Sequence, residues 1–430
     1  MAVINAFAQD AVDLAKPLTL DAAHTLACQA ALADSEVGTV GLEVEAHLVD
    51  LKAVPEAVAW DRVEQIRDLV SSVVRRSAVT VEPGCQLELS GQPEPDIVAA
   101  VTGMRHDWQG ARLTLAEHGL GAAFAGADPL RLSRRINPRP RYLAMEQHFA
   151  STGRAAAGAV MMNSTAALQL NLQAGPRSAW QARVERAHRL GPTLVAISAC
   201  SPWLHGRATG WRSVRQRTWA RLDPRACGPV PGCDPAPEAS AASDPAAAWA
   251  HFAMSAPVVM VRGDDGEPEP VRAPLSFAQW ASGQVRLRRR LPTAADLDTH
   301  LSTLFPPVRM RGFLELRYLD VTTPRWWPAI AAVAATLMDD AVAADLAMEA
   351  TERTARRWAE AAQYGLGDDL LADSARRCLA IAVSCVPAEL GPAVADLAEL
   401  VESRRSPGDL LAGRIGQVGP LAALEELAHA

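Results

Sequence analysis

Gly41-Leu-Glu-Val-Glu-Ala-His-Leu-Val-Asp50 alternates strictly between apolar and polar side chains. Leu42, Val44, Ala46 and Leu48 fall on one side, and Glu43, Glu45 and His47 on the other. Successive side chains of a β-strand point to opposite faces, so the stretch reads as a strand with one apolar and one acidic face. Any half-exposed strand shows alternation. Three later segments repeat it, however, with acids and amides as the polar set. In Glu82-Pro-Gly-Cys-Gln-Leu-Glu-Leu-Ser90 that set is Glu82, Gln86, Glu88 and Ser90, against Leu87 and Leu89. Leu168-Gln-Leu-Asn-Leu-Gln173 sets Gln169, Asn171 and Gln173 against three leucines, and Phe313-Leu-Glu-Leu-Arg-Tyr318 sets Glu315 and Arg317 against Leu314 and Leu316.

Laid side by side with their apolar faces on a helical layer, these strands would converge five glutamates and several amides on one surface. Crowded carboxylates raise one another's pKa, and divalent cations relieve the repulsion. Oxygen ligands without cysteine or several histidines point to Mg²⁺ rather than Zn²⁺. Mg²⁺ commonly completes its shell with phosphate oxygens, so ATP-dependent chemistry is the expectation.

Composition narrows the class. The 430 residues are 49% hydrophobic and 21% charged, as in a globular protein with a large core. No apolar run is long enough to span a bilayer, and Met1 to Lys16 lacks the pattern of a signal peptide, so a cytoplasmic protein with no membrane partner is expected. A net charge of −7 argues against nucleic acid as a partner. Lysine is confined to Lys16 and Lys52 against forty arginines, and no GxxxxGK[ST] occurs, so nucleotide phosphates would be held by metal and arginine. The seven cysteines are scattered, which suits a reducing compartment. Cys227 and Cys233 sit close together, without the CxxC spacing or paired histidines of a redox or metal site.

Along the chain, helical patterns cover 11–33, 63–74, 96–118 (capped by Asp96), 141–152, and 177–201 with an interruption at Gly191-Pro192. Further helices are expected over 244–254 and 293–304, and from Trp326 to the end with breaks near Gly365, Pro387 and Pro407. A buried strand is expected over 120–126, and 258–261 with 270–271 could pair across Gly263-Asp-Asp-Gly266. Residues 224–244, rich in Pro, Ala, Ser and Gly, read as a mobile loop. Strands spread from 40 to 320 imply an α+β fold with one sheet assembled from distant segments. No repeat or domain boundary is visible, so 1–430 reads as a single domain.

The ordered set Gly41-Leu-Glu-Val-Glu45, Glu82-Pro-Gly84 with Gln86-Leu-Glu88, Asn163-Ser-Thr-Ala-Ala-Leu-Gln-Leu-Asn-Leu172, Ser201-Pro-Trp-Leu-His-Gly206, Ser213-Val-Arg-Gln-Arg-Thr-Trp219 and Leu314-Glu-Leu-Arg317 resembles the successive motifs of glutamate–cysteine ligases. The similarity is to the plant-type and actinobacterial branch, which includes the ligase that opens ergothioneine biosynthesis. It implies a mainly antiparallel sheet curved into a funnel, related to the glutamine synthetase core, with helices outside. It also implies ATP-driven joining of the γ-carboxylate of L-glutamate to the amine of L-cysteine through an acyl phosphate. Glu43, Glu45, Glu82, Glu88 and Glu315 match metal positions, and Asn171 a metal or nucleotide-phosphate position. Arg215 matches an arginine near substrate, with Trp219 beside it; Arg317 and Arg141 are the next candidates to hold a carboxylate or phosphoryl group. Gln86, Gln169 and Arg217 complete the expected substrate and nucleotide set. Gln173 stands where the family often has aspartate. The arginine loop 131–141 resembles the actinobacterial Asp-Pro-Leu-Arg…Arg-Tyr-x-x-Met segment. A different amine acceptor, or a non-catalytic nucleotide- or glutamate-binding relative, are the alternatives, and a monomer is the default expectation.

Overall fold

The computed structural model describes residues 15–233 and 244–429. Among them, seven strands join in one antiparallel sheet. These are β1 (Val40–Asp50), β2 (Ser77–Val81), β3 (Gln86–Gly91), β4 (Leu120–Ala123), β5 (Ala167–Gln173), β6 (Val308–Met310) and β7 (Phe313–Asp320). Their order is β6-β7-β5-β1-β3-β2, with β4 also paired to β1. The opening stretch of the sequence analysis is thus the central strand, and all four alternating segments lie in the same sheet.

Register turns alternation into a surface. Glu45 stands opposite Glu88, and Glu43 lies between Ser90 on β3 and Gln169 on β5. Glu315 stands opposite Asn171 on β5 and Arg309 on β6. The glutamates of β1, β3 and β7 therefore all face the same way. The reverse face carries Leu42, Val44, Leu87, Leu89, Leu168, Leu170, Leu172, Leu314 and Leu316, each no more than 1% exposed. This face packs on α3 (Ile97–Glu117), α6 (Trp180–Ser198) and α10 (Trp327–Asp339), numbered after α1 (Leu20–Gln29), α2 (Trp60–Val73), α4 (Pro140–Ser151), α5 (Ala155–Ser164), α7 (Val214–Trp219), α8 (Pro245–Ser255) and α9 (Ala294–Leu301). Trp327 to Met338 of α10 are all buried, as expected of a helix sealed on every side. The later helices Asp369–Cys385 and Gly391–Glu402 back this layer, and Pro407–His429 covers β4.

Several local expectations change. The helix expected over 11–33 runs only over Leu20–Gln29, because the Thr19 side chain accepts from Ala22 N and caps it there; residues 11–14 lie outside the described residues. No interruption occurs at Gly191-Pro192, since α6 continues through it. Gly191 serves packing instead: a Cβ there would lie 2.0 Å from the Trp358 ring. In the segment expected to be a mobile loop, Asp223 caps a helical turn over Pro224–Cys227, and Val230 and Cys233 are buried. Its remainder, 234–243, lies outside the described residues. Among the described residues no helix is long and apolar enough to cross a membrane.

Candidate active site

The polar face of the sheet forms part of a cavity of about 330 Å³. Glu43, Glu45, Glu82 and Glu88 line it together with Arg141, Arg215, Arg309, Arg311 and Arg317. Met145, Met161, Met162, Tyr142, Trp219 and Phe305 supply an apolar part.

Neighbouring strands hold each carboxylate in place. Glu43 accepts from Asn171 Nδ2 at 2.9 Å, and Glu45 accepts from Gln169 Nε2 at 3.1 Å and from Ala167 N at 2.8 Å. Glu88 accepts from Ser90 Oγ at 2.5 Å. Glu82 comes from the β2–β3 connection, a turn closed by Cys85 N donating to Glu82 O at 3.0 Å. Cys85 adopts φ of 70°, and the turn lies so close to α5 that a Cβ on Gly84 would sit 2.1 Å from Asn163 O. Burial and then the charges of Glu315 and Glu88 push Glu43 up to about 7. Burial and then Glu88 push Glu45 up to about 8, and burial with Glu88 and Glu45 raises Glu82 well above the ordinary carboxylate range. Burial and mutual repulsion thus favour the protonated forms of Glu43, Glu45 and Glu82.

The arginines are unevenly committed. Arg141, from the first turn of α4, donates to Ser302 O at 3.0 Å. Arg317 Nη1 donates to Gln169 Oε1 and Glu315 Oε1, both at 2.5 Å. Arg215, 2% exposed, donates through Nη2 to Arg317 O at 2.7 Å, while its Nη1 has no hydrogen-bond partner among the described residues. A buried unpaired guanidinium donor is costly, and a bound anion would satisfy it.

Some sequence candidates stand elsewhere. Glu315 does not line the cavity. It is fully buried and grips Arg309 through Nε at 2.5 Å and Nη2 at 2.8 Å, and with Arg317 these charges hold it down at about 2. Its oxygens are committed to arginines in this arrangement. Asn171 stands behind Glu43. Arg217 lies outside the lining and stacks on Trp211, its guanidinium carbon 5.1 Å from the ring centre. His47, first grouped with the acidic face, is 2% exposed, bonded to Ala125 O at 3.1 Å, and pushed by burial down to about 4. It is a neutral strut. From the arginine loop only Arg141 reaches the cavity; Arg131 is tied to Asp128 and Leu48 O, and Arg135 to Glu146 and Asn137 O.

Arg309, Arg311 and Tyr142 were missed as site residues. The alternation Arg309-Met-Arg311 before Gly312 was the available signal for the first two, since it reads as the short arm of a hairpin into β7. Three residues are too few to stand out as a strand.

Among the described residues, no three acidic, imidazole or thiol groups converge as a ready-made metal site. Mg²⁺ binds through one or two carboxylates plus water and phosphate rather than in an all-protein cage. The donor set, all oxygen and anionic, fits the ion.

A wall of carboxylates interleaved with arginines, one of them holding an unused donor, is suited to anionic ligands. Comparison with known proteins narrows the class: the glutamate–cysteine ligase family 2 model matches residues 39–402, and the chain belongs to that family. Glutamate–cysteine ligase EgtA of Mycolicibacterium smegmatis is 46% identical over 92% of each chain. EgtA of Mycobacterium tuberculosis is 44% identical over 93% of this chain and 91% of its own. Chloroplastic glutamate–cysteine ligase of Medicago truncatula is 25% identical over 63% of this chain and 52% of its own. The crystal structure of the Francisella tularensis glutamate–cysteine ligase in complex with AMP shares the fold, with a TM-score of 0.55 at 13% identity over 92% of this chain and 88% of that one.

Proposed function

We propose that this enzyme joins the γ-carboxylate of L-glutamate to the amine of L-cysteine at the expense of ATP, giving γ-glutamylcysteine, ADP and phosphate. The whole chain works as one catalytic unit, and its product feeds ergothioneine biosynthesis, as the likeness to the EgtA proteins suggests. The observation that carries the chemistry is the cavity in which Glu43, Glu45, Glu82 and Glu88 meet Arg141, Arg215 and Arg317.

A carboxylate is a poor electrophile, so the γ-carboxylate first takes the terminal phosphoryl group of ATP, releasing ADP. The amine then attacks the acyl carbon, the C–O bond to phosphate breaks, and the proton lost by the amine is taken up by the departing phosphate. Glu43, Glu45, Glu82 and Glu88 would hold Mg²⁺ ions, one or two carboxylates to each, and the bound ions would supply positive charge against the phosphates. Arg215 and Arg141 present guanidinium donors to the substrate carboxylate or the transferring phosphoryl group. Arg317, fixed between Glu315 and Gln169, keeps positive charge beside Glu43 and Glu45. Methionines and aromatic rings on the apolar part exclude water, which protects an acyl phosphate from hydrolysis.

The test is phosphate release from Mg-ATP with each substrate omitted in turn, and mass measurement of the product. Release requiring both glutamate and cysteine, with γ-glutamylcysteine formed, is expected. Equal release with unrelated amines, or none at all, would remove this reading.

A further inference from the structure

Strand β7 does not keep its alternation to the end. Leu316 pairs with Leu170 but Leu319 pairs with Leu168, so Arg317 and Tyr318 together stand opposite Gln169. Such a bulge shifts the phase of the side chains beyond it. Tyr318 turns to the helical layer, where its hydroxyl donates to Ala187 O at 3.1 Å. Asp320, paired with the cavity-lining Ala167, emerges on the same face as Glu315 and Arg317.

There it is 1% exposed and accepts from Cys200 N at 2.9 Å, Ser201 Oγ at 2.6 Å and Ser213 Oγ at 2.9 Å. Gly126 lies against it, and a Cβ at that glycine would come within 2.5 Å of the carboxyl carbon. Arg215 Nη1 stands 3.8 Å from Asp320 Oδ1. That is too long for a hydrogen bond, yet close enough for strong attraction away from water. The same serines hold the backbone that carries Arg215: Ser201 Oγ accepts from Arg215 N at 3.2 Å, and Ser213 Oγ caps α7 by accepting from Gln216 N at 3.1 Å.

We propose that Asp320 is a positioning residue for Arg215. It compensates the guanidinium charge without consuming the Nη1 donor, and through Ser201 and Ser213 it fixes the start of α7, so that Nη1 stays available to an anionic oxygen of the substrate. The inference rests on the reading of Arg215 as the anion holder.

The experiment compares Asp320→Asn, Arg215→Lys and the double variant by steady-state kinetics for each substrate. Arg215→Lys is expected to raise the KM of one anionic substrate, glutamate or ATP. Asp320→Asn is expected to raise that same KM about tenfold, with the double variant no worse than Arg215→Lys alone. Losses that multiply in the double variant, or an equal rise in all three KM values, would mark Asp320 as merely structural and overturn the proposal. Unchanged kinetics in Arg215→Lys would instead overturn the reading of Arg215, and the proposal with it. Should Asp320→Asn fail to fold, Ser213→Ala keeps the carboxylate and breaks one link; it is expected to raise the same KM, and an unchanged KM there overturns the proposal.

Discussion

Glu45 and Glu88 face each other across the β1–β3 ladder, a placement that like charges make unfavourable. Nothing in the apo protein offsets it fully, since Glu45 remains pushed up to about 8 by burial and by Glu88. Protonation is the relief the protein itself provides, and a cation held there, as proposed, would take its place. Glu45→Gln therefore has two expected signs. Activity falls by at least about 100-fold, the scale on which one electrostatic group acts in a water-excluded site. Without ligands the melting temperature stays equal or rises, because a buried carboxylate has been removed. Full activity in a folded Glu45→Gln protein would count against the metal role. Arg309 behaves oppositely. It supplies two of the hydrogen bonds that keep Glu315 ionised, so Arg309→Ala leaves a buried charge with half its partners and should cost about 3–5 kcal/mol, read by denaturant unfolding.

At the scale of elements, the β2–β3 connection shows how the fold delivers a cavity-lining side chain. Glu82 lies on no strand; a turn with Cys85 in left-handed backbone, seated on α5, presents it to the cavity. Gly84→Ala would force the turn off Asn163, costing about 1–3 kcal/mol and displacing Glu82. Unchanged stability and Mg²⁺ dependence in that variant would show that the turn has slack. The same elements show why so much of the site was legible. Period-two alternation survives in sequence wherever one face is buried under helices and the other lines a polar cavity, and β1, β3, β5 and β7 all meet that condition. What alternation cannot show is a change of its own phase. Read strictly, Asp320 belongs with the leucines; the bulge at Arg317–Tyr318 moves it to the polar face, beside Arg215. Pro192 failed as a helix breaker for a similar reason, since burial from Leu190 to Ser198 holds α6 together through it. Glu315 was visible as a polar-face residue, but its commitment to Arg309 depends on β6, which is only three residues long.

Across the whole molecule, the carboxylates fall into two groups that should give stability opposite pH dependences. Glu315, held at about 2 in the folded protein, contributes stability that is present above the ordinary glutamate pKa of about 4.3 and is lost as pH falls toward 2. Glu43 and Glu45, raised to about 7 and 8, bind protons in the folded state that the unfolded chain has released. Their contribution is complete below about pH 4.3 and is lost as pH rises through 7 to 8. The ligand-free enzyme is therefore expected to melt at progressively lower temperature between pH 5 and 8. If these glutamates hold Mg²⁺ as proposed, the ion binds their deprotonated form, so its stabilising effect should grow over the same interval and be larger at pH 8 than at pH 6. Thermal melts across that range, with and without Mg²⁺, check both slopes. Glu45→Gln should flatten the first and weaken the second. A Mg²⁺ effect that is the same at pH 6 and pH 8 would mean that the ion binds somewhere other than these glutamates.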